Sequence, residues 1–229
     1  MTLSWRRVGL ALWVLALVWA AVLLGLHLRS AAPPPPRVLT PQQLANGFAA
    51  STIAPVRLPP SGAPLSGGAA PAISLTGVGG PGTLAAYRGD VTLVTFVNPA
   101  CQGSCYGTVA VIDDALRSLG PVRAHVAVLV VDVAGSRMPA SQLQAWWAAS
   151  QLGRPGALLT GSAQAVKAVL KAYGIVVDTS AHGLVWTPAL YVLNGRGQGQ
   201  RLFILNANQE SSEAAALRRA IRLSLPRAR

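Results

Sequence analysis

Acidic residues are scarce in this chain: seven Asp and Glu stand against 19 Lys and Arg, for a net charge of +12 over 229 residues. Histidine and cysteine are scarcer still, with three and two copies. A zinc site takes about four ligands, and these residues do not supply them, since His27 lies beside a long apolar run and His125 inside a strand-like pattern. The basic excess comes without a nucleic-acid recognition motif, so no nucleic-acid partner is expected. Arg218, Arg219, Arg222, Arg227 and Arg229 cluster at the C-terminus. They suit a solvated helix end, where positive charge meets the helix dipole, and secondarily a contact with anionic lipid headgroups. No internal repeat is visible.

Charge is low overall, at 11%, and apolar content is 52%, which is unusual for a purely soluble protein. Part of the excess is the run "VGLALWVLALVWAAVLLGL", Val8 to Leu26, which carries no charge. Its 19 residues at about 1.5 Å each are roughly enough helix to cross a hydrocarbon core. Arg6 and Arg7 precede it, which predicts a cytoplasmic N-terminus and an extracytoplasmic remainder. The run is longer than the apolar core of a cleaved signal, and Pro33 follows Ala31-Ala32 where cleavage would fall. We therefore expect a retained, single-pass anchor in the cell membrane, within residues 1–29. Residues 30–71 are dense in Pro, Ala, Gly and Ser and read as a tether, stiffened by the prolines at 33 to 36.

From about Ala72 to 225 the pattern is that of a folded domain, large enough for a real core. "AISL" is a short strand candidate and "TGVGGPG" a turn. "VTLVTFV" and "VRAHVAVLVVDV" read as strands buried on both faces. "CYGTVAVIDDALRSLG", "PASQLQAWWAAS" and "SAQAVKAVLKAYG" read as helices, the last beginning near Ser162. "GALLTG" is a short strand or turn. "ALYVLNGRGQGQRLFIL" is two strands around an Asn-Gly turn, and "SSEAAALRRAIRL" is a final helix capped by Ser211 or Ser212. Alternating strands and helices closed by a hairpin predict an α/β fold, a mixed sheet with helices on its faces.

The only cysteines, Cys101 and Cys105, sit between a buried strand and a helix, in "VNPACQGSCYG". If residues 101 to 105 are helical, positions i and i+4 share a face, about 6 Å apart between Cα atoms, which a disulfide accepts. Free N–H groups and the helix dipole at such a junction favour thiolate over thiol, most of all at Cys101. A bridge closing so small a loop adds little as a staple. A redox couple or a thiolate site for a soft ion such as Cu(I) remains. Copper would want a third donor, and His182 is the one histidine placed for it, though a solvated loop residue is the plainer reading.

These residues resemble the SCO/SenC family. The strand, the Cys-x-x-x-Cys pair, the helix, the apolar N-terminal run, the "VVDV" strand, "LTGSAQAVKAVLKAYGIVV" and "ALYVLNGRGQ" all fit it. The resemblance covers about residues 72 to 223 and implies a thioredoxin-like fold on a membrane anchor. It also implies copper delivery to, or cysteine reduction in, the dinuclear copper centre of cytochrome c oxidase. Cys101, Cys105 and His182 would then hold copper, with the oxidase subunit that carries the centre as partner. The chain departs from the family in having Gln102 and Tyr106 where prolines are usual, and Trp186 in the slot of the copper-binding histidine. "TPA", Thr187 to Ala189, instead looks like the loop where thioredoxins hold a cis-proline, which would make Pro188 part of a groove for a substrate chain. The alternative to copper is therefore a thioredoxin-type thiol–disulfide oxidoreductase. In it Cys101 attacks a partner disulfide and Cys105 resolves the mixed disulfide. Asp132 is expected near the cysteines or as the cap of the next turn.

Overall fold

A computed structural model of the protein describes residues 62–226, apart from 102–104, 136, 154, 181–182 and 206–209. The predicted anchor, most of the tether, and His182 lie outside the described residues. No helix among the described residues is long and apolar enough to cross a membrane.

Strands β3 (Val91–Val97) and β4 (Val126–Asp132) are each buried along all seven residues. They run parallel, in register from Val91↔Val126 to Val97↔Asp132. Their β-branched, apolar sequences have no polar face to turn toward water, so both faces must be covered. Alternate residues feed two cores. Val91, Leu93, Val128 and Val130 face a cluster with Ile112, Leu116, Leu143, Leu217 and Ile221. These come from helices α1 (Cys105–Arg117), α2 (Ala140–Ala149) and α4 (Glu210–Ser224). Val94, Phe96, Leu129 and Val131 face the other side, against Val166, Leu170 and Tyr173 at helix α3 (Ala163–Ala172).

The remaining strands complete a seven-stranded mixed sheet in the order β1-β9-β8-β3-β4-β5-β2. These are β1 (Ala63–Pro64), β2 (Thr76–Val78), β5 (Gly156–Thr160), β8 (Ala189–Leu193) and β9 (Gly199–Ile204). β5 joins β4 in parallel, while β8 lies antiparallel to β3. A separate two-stranded hairpin is formed by β6 (Val177–Ser180) and β7 (Gly183–Trp186).

The mixed sheet with helices on both faces, the buried strands and the four helices agree with the sequence. α3 begins beside Ser162 as expected, and Ser162 caps it, its hydroxyl accepting from Ala165 N–H at 3.2 Å. Several local details differ. The strand falls on Thr76–Val78 and not on "AISL", because Gly77 and Gly82 let that turn cross itself with backbone against backbone. Ile73 meanwhile enters the core. Ordered structure starts before residue 72: Leu65 N–H bonds Gln200 O and Ala70 N–H bonds Gly197 O.

The β8–β9 connection is not a two-residue Asn-Gly turn. Asn194 O accepts from Gly197 N–H at 2.8 Å, and Gly197 takes the left-handed φ of 72°. The Asn194 side chain accepts from the amides of Arg196 and Gln198. This is a type I turn followed by a glycine bulge. α4 already includes Glu210, so Ser211 and Ser212 lie inside it rather than capping it. The β6–β7 hairpin was not foreseen.

Candidate thiol-redox site

The site is built where β3 and β4 end. After Val97 the chain turns at once: Asn98 O accepts from Cys101 N–H at 2.9 Å, and Asn98 Oδ1 accepts from Ala100 N–H at 3.0 Å. Asn first and Pro99 second are the residues such a turn favours. Cys101 therefore stands in a turn ahead of the helix, half-buried, and α1 starts at Cys105. Of the segment from 101 to 105 that was expected to be helical, Cys101 lies in the turn closed on Asn98 and Cys105 lies in α1, while residues 102–104 lie outside the described residues. Cys101 is disulfide-bonded, and the chain has one other cysteine, Cys105.

The parallel ladder continues one step past the strands, with Val133 N–H bonding Val97 O at 2.9 Å. Beside it, Asp132 is 1% exposed. Its carboxylate accepts from Ala134 N–H at 2.9 Å and from the Thr160 hydroxyl at 3.3 Å. Burial outweighs these bonds and the nearby Arg137 charge, and pushes its pKa up to about 6. Asp132 thus both caps the turn that follows and sits, in register with Val97, at the sheet end from which the cysteine turn departs.

The third side comes from the hairpin and the start of β8. Trp186, at the end of β7, donates its indole N–H to Phe96 O at 2.8 Å. Thr187 N–H bonds Val176 O, and Ala189 N–H reaches back to Thr187 O at 2.8 Å, a tight turn centred on Pro188. Pro188 O accepts from Leu205 N–H, and Thr95 Oγ1 bonds Ala189 O at 3.1 Å. With Thr95 paired to Leu190, Pro188 lies at the same end of the sheet as the cysteine turn. The structure thus gathers Cys101, Asp132, Trp186 and Pro188 at one sheet end. His182 lies outside the described residues. Thr160 and the Trp186–Phe96 bond were not anticipated; each joins residues far apart in sequence, and no local pattern announces them.

An indole N–H is a donor only, and here it is already engaged by a carbonyl. Trp186 therefore supplies no ligand in the slot where the resemblance places a histidine.

The sequence model of the SCO1/SenC family matches residues 75–222. The chain belongs to the SCO1/SenC family. No curated protein matches it. Among solved structures it is similar to apo Sco1 from Thermus thermophilus, at 22% identity and a TM-score of 0.57 over 71% of this chain and 94% of that one. It is similar to copper-bound ScoI from Bradyrhizobium japonicum, at 19% identity and a TM-score of 0.56 over 66% and 98%. The thioredoxin domain of a thiol-disulfide oxidoreductase from Bacteroides vulgatus aligns at 15% identity and a TM-score of 0.50 over 69% and 99%. At these identities the likeness is one of fold, and the fold is thioredoxin-like, as the resemblance implied.

Proposed function

We propose that this SCO1/SenC protein is an extracytoplasmic, membrane-anchored thiol–disulfide oxidoreductase. Its partner is a protein whose cysteines must be set in the right redox state, as in the copper centre of cytochrome c oxidase. The observation that carries this reading is Trp186: the side chain in the family's histidine slot is tied to Phe96 O, while Cys101 is held in a disulfide at the sheet end. In the reduced state the Cys101 thiolate attacks one sulfur of a partner disulfide and expels the other as thiolate. Cys105, as thiolate, then attacks Cys101, freeing the partner's second thiol and closing Cys101–Cys105. Two electrons pass from this chain to its partner, and the reverse sequence oxidises a dithiol. Pro188 lies beside the turn as part of the surface that receives the partner's backbone.

The second reading is copper delivery by Cys101, Cys105 and His182. It is favoured by the Bradyrhizobium japonicum and Arabidopsis thaliana relatives, whose structures hold copper.

One experiment separates the two. The full-length protein, reduced, is mixed with a neutral small disulfide, and in parallel with Cu(I) beside a competing chelator. Redox function predicts rapid disulfide reduction that falls by about 100-fold or more in Cys101→Ser, with no tight Cu(I) binding. Tight one-to-one Cu(I) binding, lost in Cys101→Ser and weakened in His182→Ala, with no reduction of the disulfide, would overturn it in favour of the carrier.

A further inference from the structure

Next to the site is a cavity of about 420 Å³, walled by the loop Val133–Gly135, helix α3 and the β6–β7 hairpin. Its floor is apolar: Val166, Leu170 and Ile175 are buried and Leu184 is half-buried. Its rim carries Arg137, Lys167 and Lys171, all exposed. None of the three forms an ion pair with a described residue. The acid that acts on Arg137 is Asp132, buried beneath the loop. Asp178 sits between Val177 and Thr179 on β6, and these two line the cavity; strand alternation turns Asp178 the other way.

Lys167 and Lys171 are four residues apart on α3, so they share a helix face and repel each other. Lys171 near the helix end is explained by the dipole. The other two cations are not, and three like charges ring an apolar floor that is left open.

The two flanking walls also border the thiol site. The loop continues directly from Asp132. Leu184 is two residues before Trp186, on the same face of β7. A protein chain that presents a cysteine to Cys101 must lay its neighbouring residues on one side or the other.

We propose that this groove receives a segment of the partner protein that carries Asp or Glu interleaved with apolar side chains. The carboxylates meet the Arg137–Lys167–Lys171 rim while the apolar groups fill the floor. The proposal rests on the thiol-exchange reading for its placement, but its binding is measurable without it.

The probe is a labelled, cysteine-free peptide alternating Glu with Leu, and a twin with Lys in place of Glu. Each is titrated by fluorescence anisotropy into the full-length protein in zwitterionic detergent micelles. The acidic peptide is expected to bind at least about tenfold more tightly at low salt. That preference should shrink at about 0.5 M salt, where the screening length is only a few ångströms. It should shrink in Lys167→Gln/Lys171→Gln, where Arg137 alone remains, and reverse in Lys167→Glu/Lys171→Glu; both side chains are exposed, so the fold is not at stake. Equal binding of the two peptides, or a preference that survives both double variants, would overturn the proposal. So would displacement by anionic-lipid vesicles in the absence of any peptide preference, which would assign the rim to a membrane surface.

A second arm uses the same peptides with an internal disulfide, against a neutral small disulfide. The double variants should slow the acidic peptide and leave the small disulfide unchanged. If the small disulfide is not reduced while the peptide preference holds, the thiol-exchange reading falls and the groove stands.

Discussion

Two strand pairs wall the thiol site, and they are built in opposite ways. β3 and β4 are buried along their whole length, paired on both sides, and rich in β-branched side chains. β6 and β7 pair only with each other among the described residues, and β7 alternates between exposed and half-buried positions. The first pair fixes the floor of the chemistry by packing. The second is held to the rest of the fold by the Trp186 indole on Phe96 O and by the half-buried Val177, Leu184 and Trp186 packed on the core. Under the proposed thiol-exchange function, a site that holds cysteines in place and yet admits a partner chain gains from this division, because the elements that open are drawn from the less stable end of a structure.

The sharpest way to break the contrast is a matched truncation. Phe96 is 0% exposed and its ring contacts Tyr173 and Tyr191, with centroids 5.6 and 6.3 Å away. Phe96→Ala should cost about 3–5 kcal/mol of unfolding free energy in urea titration. Leu184→Ala, in the half-buried hairpin, should cost about 1 kcal/mol. Equal losses would show that the hairpin is as integral to the core as the sheet.

Asp132 gives the next effect. Its carboxyl pKa is raised from 3.8 to about 6 in the folded protein. Between those values the folded state therefore holds more of the proton than the unfolded state does. Stability must fall as pH rises from 4 through 6 and then level off, by about 2–3 kcal/mol at most. The wild type should thus gain stability on acidification from pH 7 to 5, and Asp132→Asn should lack that slope. A variant with the same slope would assign the titration elsewhere.

The smallest effect tests the fastening itself. Trp186→Phe removes the indole N–H and should cost about 1 kcal/mol. Amide hydrogen exchange should quicken in the hairpin while β3 stays protected. Equal quickening in β3 would mean that the two pairs open as one unit.

The same contrast explains what could be foreseen. β3 and β4 declare themselves because continuous apolar, β-branched runs allow little else, and the α3 helix follows from its periodicity and the Ser162 cap. Cys101 and Pro188 could be placed at one sheet end because each adjoins a recognisable strand. What stayed hidden depends on contacts between distant residues. The strand at Thr76–Val78 relies on backbone crossings at Gly77 and Gly82. The hairpin relies on Trp186 reaching Phe96. The turn at Cys101 follows from Asn98 O accepting its amide. In the turn after β8, Asn194 and Gly195 suggested a tighter loop, but Gly195 is small because Gly89 O stands 2.8 Å from where a Cβ would be.

The sheet's two margins are its shortest strands, two residues at β1 and three at β2. β1 ends in Pro64, which has no amide hydrogen to offer. Among the described residues, neither border presents a long row of unsatisfied donors and acceptors on which another copy could stack. Copies of this domain that meet edge to edge thus find only short borders to pair with, which works against growth into fibrils.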